Sequence, residues 1–336
     1  MTSQEVDPST VFVDYRPRPG RRKAVLIGLG VALLLVAVVF AVRATVSSPE
    51  SAVHGYFDAL ADRDVEGALA AAAPEVREQV ARDLISSAVL RSDSYAPPRD
   101  VAVTELTVDG RSAVAEVDYT IDGRKHSATL RLRRDEGILD AVFHRWLVVD
   151  GIGSVLLGDV PEQITVNGEQ IAAYDAQGPR VLPALPGGYQ VGVPEGDPLW
   201  EPRSVQVRVE PQNAAEVSVP LAARPEVREE IDRQIAERLD GCAASTELVP
   251  PGCPFGYAVV VRAEDVRWRI TEYPRVELSA GRELGEMVIV VGTSAEGEAV
   301  IAGTRRFVGE FEQSVPFPVS GTATVAGDSV LFQPEW

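Results

Sequence analysis

The sequence predicts an α+β chain. One amino-terminal transmembrane helix is followed by helices packed on antiparallel sheets in three successive units. Three observations predict it. An uncharged run of 19 residues, AVLIGLGVALLLVAVVFAV, begins at Ala24 and ends at Val42. Twice after it, at 48–152 and at 223–336, apolar residues recur at helical spacing and then give way to alternation. Between these stretches, 158–222 holds only short β-rich runs broken by Gly and Pro.

At a rise of about 1.5 Å per residue, the apolar run crosses the roughly 30 Å hydrocarbon core of a bilayer. The alternative is a cleaved signal peptide, whose apolar region is about 7–15 residues long and ends in a small-residue cleavage site. Val39-Phe40-Ala41 matches such a site poorly. No cysteine lies near the end of the run, which argues against a lipid-modified anchor. Arg16, Arg18, Arg21, Arg22 and Lys23 precede the run, whereas only Arg43 follows it before Glu50. Positive flanks stay cytoplasmic, so the expected topology is single-pass, with the amino terminus inside and residues 43–336 outside. The lipid bilayer is then the first expected partner.

The tail, 1–23, is polar and Pro-rich and too short to fold alone. It reads as disordered, its basic residues setting topology; a docking peptide or a phosphorylated Thr10 is the alternative. It carries five basic and three acidic side chains, and the rest of the chain 27 and 47, for a net charge of −18. Such an acidic exterior argues against nucleic acid and against docking on anionic lipid. Abundant Ala, Val, Arg, Gly and Asp with little Lys resembles the residue usage of high-GC bacteria.

In 48–152 the helical part comes first. Ser48 or Ser51 can cap a helix with Pro49 and Glu50 in its first turn, and Val53, Tyr56, Phe57 and Leu60 form one apolar stripe. A short helix over 65–73 stops at Pro74, and a third is expected over 75–90, with Val76, Val80, Leu84 and Val89 on one side. Strands follow at 101–108, 113–121, 126–133 and 143–149, with hairpin signals at Asp109-Gly110 and Asp122-Gly123. Ala113, Ala115, Val117, Tyr119 and Ile121 alternate with Val114, Glu116, Asp118 and Thr120, and His126, Ala128, Leu130 and Leu132 alternate with Ser127, Thr129, Arg131 and Arg133. One apolar face on a meander means helices packed on a curved antiparallel sheet.

SPESAVHGYFDALADRDVEGALAAAAPE, followed by hairpins and RWLVVDG, resembles the nuclear-transport-factor-2-like, or ketosteroid-isomerase-like, superfamily. The YFxALxxxD pattern is met by Tyr56, Phe57, Ala59, Leu60 and Asp64. The resemblance implies a cone with a pocket, a fold that serves both enzymes and binding modules.

In 158–222, strands are expected at 163–166, 180–185, 189–193, 205–209 and 215–221, with turns at Asn167-Gly168 and Pro186-Gly187-Gly188. This is the pattern of a small β-sandwich. ITVNG, LPALPGGYQVGV, VQVRVEP and AEVSVPL resemble the bacterial surface modules called PEGA-like domains, which implies a spacer or adhesion unit near envelope polymers.

The last unit opens with Pro225 and a helix in which Val227, Ile231, Ile235 and Leu239 recur every four residues. Strands are expected where Val266, Trp268 and Ile270 alternate with polar residues, and at 287–291, 299–302, 315–319 and 330–332. This unit reads as a C-terminal α+β domain on antiparallel sheet. Cys242 and Cys253 are the two cysteines. An exported pair so close in sequence reads as a disulfide, since a metal site would need further His or Cys neighbours and none is near. The assembly of anchor, cone-like domain and β modules is distantly similar to the teicoplanin-resistance-associated membrane protein family; it departs from it in having no cysteine, and so no zinc ribbon, in the tail.

All three histidines fall in 50–152. His126 and His144 share strand faces with apolar residues, and His54 sits at the edge of the first helix's stripe. A pocket histidine can act as general base. A catalytic pair also wants an inward carboxylate, and Glu116 and Asp118 alternate to the opposite face. His126 and His144 are therefore the only catalytic candidates, and half-buried, hydrogen-bonded histidines are the expected outcome. Their positions on separate elements lack metal-ligand spacing, and no nucleophile elbow, zincin, phosphate-loop or dinucleotide motif appears. No cofactor or metal is expected. The sequence thus reads as a bacterial envelope protein whose exterior binds a ligand, wall polymer or protein partner without catalysis; a ketosteroid-isomerase-like enzyme and a structural stalk are the alternatives.

Overall fold

The computed structural model describes residues 48–79, 83–135, 145–175, 178–258, 263–283, 286–326 and 329–336. The tail, the apolar run at 24–42, Val80 and His144 lie outside the described residues. No helix among the described residues is long and apolar enough to cross a membrane. The architecture is mixed α+β, dominated by antiparallel sheets with few helices.

Helix α1 spans Pro49–Ala61. The Ser48 hydroxyl accepts a hydrogen bond from Ser51 N at 3.0 Å, Pro49 sits at the first helical position, and Val53, Tyr56, Phe57 and Leu60 are buried. Helix α2 spans Val65–Ala71 and is capped by Asp64, whose carboxylate accepts from Gly67 N. The single helix expected over 75–90 is instead α3, Pro74–Gln79, and α4, Ser87–Arg91, with bends at 83–86. The physical reason is Ser86. Its hydroxyl accepts from Val89 N, so it starts a new helix where it was expected to continue an old one.

Strands β1 (Arg99–Asp109), β2 (Ser112–Ile121), β3 (Arg124–Arg134) and β4 (Trp146–Val148) follow in sequence order as one antiparallel sheet. Asp122 and Gly123 both have positive φ, as a two-residue hairpin of this kind needs. In the preceding hairpin the loop is Gly110-Arg111, one residue later than the Asp109-Gly110 signal, because Asp109 still pairs with Ser112. Ala113, Ala115, Val117, Tyr119 and Ile121 are buried against α1, and the opposite face carries Ser112, Glu116, Asp118 and Thr120 with an exposed Val114.

The middle unit holds β5 (Gly153–Leu157), β6 (Gln163–Val166), β7 (Glu169–Ala172), the short pair β8 (Tyr174–Asp175) and β9 (Gly178–Pro179), β10 (Val181–Ala184), β11 (Gly187–Gly192), β12 (Ser204–Val209) and β13 (Ala214–Val217). Its two main sheets are β10-β5-β13 and β12-β11-β6-β7. Strand β5 falls between the expected units 48–152 and 158–222, yet it is the central strand of its sheet and pairs in parallel with β13. Gly153 permits this: a Cβ there would stand 2.2 Å from Glu210 O and 2.6 Å from Val209.

The first and middle units are bonded into each other. Ala96 and Gly188 exchange both backbone hydrogen bonds, at 3.0 and 2.8 Å. Tyr95 Oη donates to Pro186 O at 2.7 Å. Asn167, expected only as a turn residue, does more. Its φ of 52° suits the β6–β7 turn, while its buried amide donates to Val89 O at 3.1 Å and accepts from Gln190 N at 2.8 Å. Asn167→Ala would leave a buried donor and a buried acceptor unpaired and place alanine in a left-handed conformation. We expect a loss of about 2–3 kcal/mol in chemical denaturation. A loss under about 0.5 kcal/mol would mean that water replaces both bonds.

The last unit begins with α5, Pro225–Ala243, whose Val227, Ile231, Ile235 and Leu239 are buried as their spacing predicts. Strands β14 (Ala263–Glu272), β15 (Arg275–Glu283), β16 (Glu286–Ala295), β17 (Gly297–Arg305), β18 (Gly309–Phe317), β19 (Gly321–Ala326) and β20 (Ser329–Pro334) form two antiparallel sheets, β14-β17-β18 and β15-β16-β19-β20. Helix α5 contacts β14 of one and β20 of the other. Cys242, in its last turn, is bonded to Cys253 with the Cα atoms 5.9 Å apart. This unit is tied to the middle one where Arg282 donates to Val160 O and covers the Tyr174 ring at 3.8 Å, and where Met287 N donates to Glu162.

Candidate functional site

The space between α1 and the first sheet is where a pocket histidine would act, and it is filled by side chains. Tyr56, Phe57 and Tyr119 are buried there, with the Phe57 and Tyr119 rings 5.3 Å apart. Tyr56 Oη donates to Gly151 O at 2.7 Å. Burial pushes the Tyr56 and Tyr119 phenols well above their usual range, so neither supplies a phenolate near neutrality.

His126 is 15% exposed and stacks on Tyr119 at 5.7 Å. Its Nδ1 lies 2.7 Å from Oε1 of Glu210, at the end of β12, so the residue sits at the junction between the first and middle units. Its Nε2 and Tyr119 Oη are buried with no hydrogen-bond partner among the described residues. The carboxylate that meets the histidine comes from 84 residues away, which no local pattern announces. His54 is half-buried on α1, and His144 lies outside the described residues. Among the described residues, no group of three His, Cys, Asp or Glu side chains is placed to hold a metal ion.

An open cleft of about 290 Å³ lies on the last unit, between α5 and the turn from β14 to β15. Arg228, Asp232, Ala236 and Asp240 stand at four-residue spacing on α5 and form a stripe beside its buried face. The first three of these line the cleft with Ile235; Tyr273, Pro274, Arg275 and Val276 line it from the strand side. The strand side is held to the helix by a Tyr273 Oη hydrogen bond to Asp240 and a long Arg228 contact with Val276 O at 3.4 Å. The Asp240 bond also raises the Tyr273 phenol above its usual range. Asp232 stands at the exposed rim, yet the cleft wall desolvates it enough to raise its carboxyl, against the lowering charge of Arg228. No carboxylate among the described residues pairs with Arg228 or Arg275 within ion-pair distance.

Two guanidinium groups without carboxylate partners, one carboxylate, and a floor of Ile235, Ala236, Pro274 and Val276 suit a ligand carrying an anionic group beside an apolar part. The cleft holds no histidine, cysteine or serine to act as base or nucleophile. The four-residue stripe on α5 was present in the sequence, but its partners on β15 are more than 30 residues away and carry no motif. Comparison with protein-family models, with curated proteins and with solved structures finds no match to this chain.

Proposed function

We propose that this chain is a single-pass protein of the bacterial envelope. Its tail lies in the cytoplasm, the run from Ala24 to Val42 spans the membrane, and the remainder binds a wall polymer or an envelope protein outside without catalysis. The cone-like reading of 48–152 and the sandwich reading of 158–222 belong to this proposal. The observation that carries it is the cleft beside α5, where Arg228 and Arg275 have no carboxylate within ion-pair distance among the described residues and stand over an apolar floor. The filled interior against α1 weighs against the enzyme alternative, while the His126–Glu210 pair is the one feature that favours it. Bonds across both junctions favour the stalk as a second reading, because they hold the last unit at a fixed place relative to the first.

The test is retention of the full chain, in detergent, on isolated cell-wall sacculi. Point substitutions are needed, because deleting 158–222 would strip β5 of its neighbours. Wild-type chain should be retained, and the Arg228→Glu, Arg275→Glu double variant should lose at least about tenfold in affinity, as removal of two charge-assisted contacts implies. Equal retention of both would remove the cleft from the proposal. No retention of either would remove the wall polymer and send the search to crosslinking of protein partners in cells.

A further inference from the structure

The β17–β18 hairpin carries two features that the proposed binding cleft does not use. Arg305 pairs with Gly309, so Arg306, Phe307 and Val308 form the loop, and Val308 N donates to Arg305 O at 3.1 Å. Phe307 stands third in this β-turn with a φ of 77°, a place where glycine or asparagine is expected. Yet Phe307 is 98% exposed and Val308 67% exposed. A bulky apolar residue held in a left-handed conformation in water gains little from its own fold beyond the neighbouring Arg306 guanidinium, 5.7 Å from its ring.

The base of this loop is held by side-chain contacts. Arg305 donates to Tyr257 Oη at 2.8 Å and lies 4.4 Å over the Phe311 ring, and the Tyr257 and Phe311 rings stack 5.8 Å apart. The second feature is a hollow of about 520 Å³ just below the loop. Ala302 lies between Arg267 on β14 and Glu312 on β18, and its small side chain leaves a gap there. Asp265, Glu310 and Glu312 outnumber Arg267 around that gap, and Arg269, 3.8 Å from Glu312 in an exposed pair, leaves the rim acidic by one charge.

We propose that this hairpin is a self-recognition surface: the Arg306-Phe307-Val308 tip of one chain seats in the hollow over Ala302 of a second copy. The charges are complementary, with a cationic, apolar tip meeting an acidic-rimmed gap of a size that admits a phenyl ring. Tip and hollow lie on one hairpin, so a two-fold axis lets each copy fill the other's hollow, and the tip-in-hollow contact forms twice. Two overlapping hairpins bury little surface, at the low end for specific interfaces, so the dimer is weak and concentration-dependent.

The test uses the full chain. Both native cysteines are paired and no free cysteine is present among the described residues, so an introduced thiol reports alone. A chain with Ala302→Cys is mixed with a differently tagged chain with Val308→Cys and mildly oxidised. The mixed disulfide product should exceed, several-fold, that formed with Val181→Cys, an exposed site on β10. Adding Phe307→Gly to both chains should cut the product at least fivefold while leaving the melting temperature unchanged or raised, because glycine suits that φ. Arg306→Glu should cut it likewise, and Glu312→Arg on the partner copy should restore it. Product no greater than the Val181→Cys level, or product indifferent to Phe307→Gly, overturns the proposal.

Discussion

Tyr95→Ala should destabilise the chain by about 3–5 kcal/mol, as expected for emptying a fully buried aromatic site. The ring is closed in on every side. It meets Tyr189 edge-on at 5.3 Å, and its hydroxyl donates to Pro186 O inside the middle unit. Gly187 completes the fit, since a Cβ there would stand 2.4 Å from the ring. Truncation removes the packing and leaves the Pro186 carbonyl buried without its donor. Because Tyr95 belongs to the first unit and its surroundings to the middle one, the loss should appear in both. Thermal unfolding followed by near-ultraviolet dichroism and by hydrogen exchange should show 48–135 and 153–217 losing protection together. If only the first region loses protection, the two units fold independently and the junction is a surface contact. Tyr95→Phe separates the terms: it keeps the ring and should cost only about 1–2 kcal/mol for the lost hydroxyl bond.

Reduction of the Cys242–Cys253 bond should cost about 3 kcal/mol in the chain-entropy account of a loop this short. Cys242 is buried in the last turn of α5, next in the stripe after Leu239. The bridge thus pins the end of the helix whose earlier turns form one wall of the candidate cleft. At roughly 4 °C per kcal/mol for a unit of this size, reductant should lower the melting temperature of the last unit by about 12 °C. The first and middle units should respond much less. An unchanged melting temperature in reductant, with the free thiols verified by alkylation, would show that the helix end is held by packing alone.

The sequence by itself determined the class of this protein: few helices, many short antiparallel strands, and the faces these elements bury. Those features depend on local periodicity. Val227, Ile231, Ile235 and Leu239 recur every four residues, and Ala113, Ala115, Val117, Tyr119 and Ile121 alternate; each set is buried because the repeat of the backbone puts it on one side. The hairpins at Asp122-Gly123 and Asn167-Gly168 were legible for the same reason, since positive φ is a local steric property. The cysteine pair was legible from spacing and its expected exterior setting.

Tertiary structure alone decided the rest. Strand β5 was hidden because a central strand of five residues is specified by its neighbours β10 and β13, not by its own pattern. The helix expected over 75–90 was interrupted by the Ser86 cap, a choice between two local hydrogen bonds that periodicity does not record. His126 met Glu210, and Arg228 met the Tyr273–Val276 turn, across separations that leave no mark on the sequence. Burial follows from which face an element shows, and the order of residues encodes that. A site depends on which distant side chains converge, and only the packed fold brings them within range.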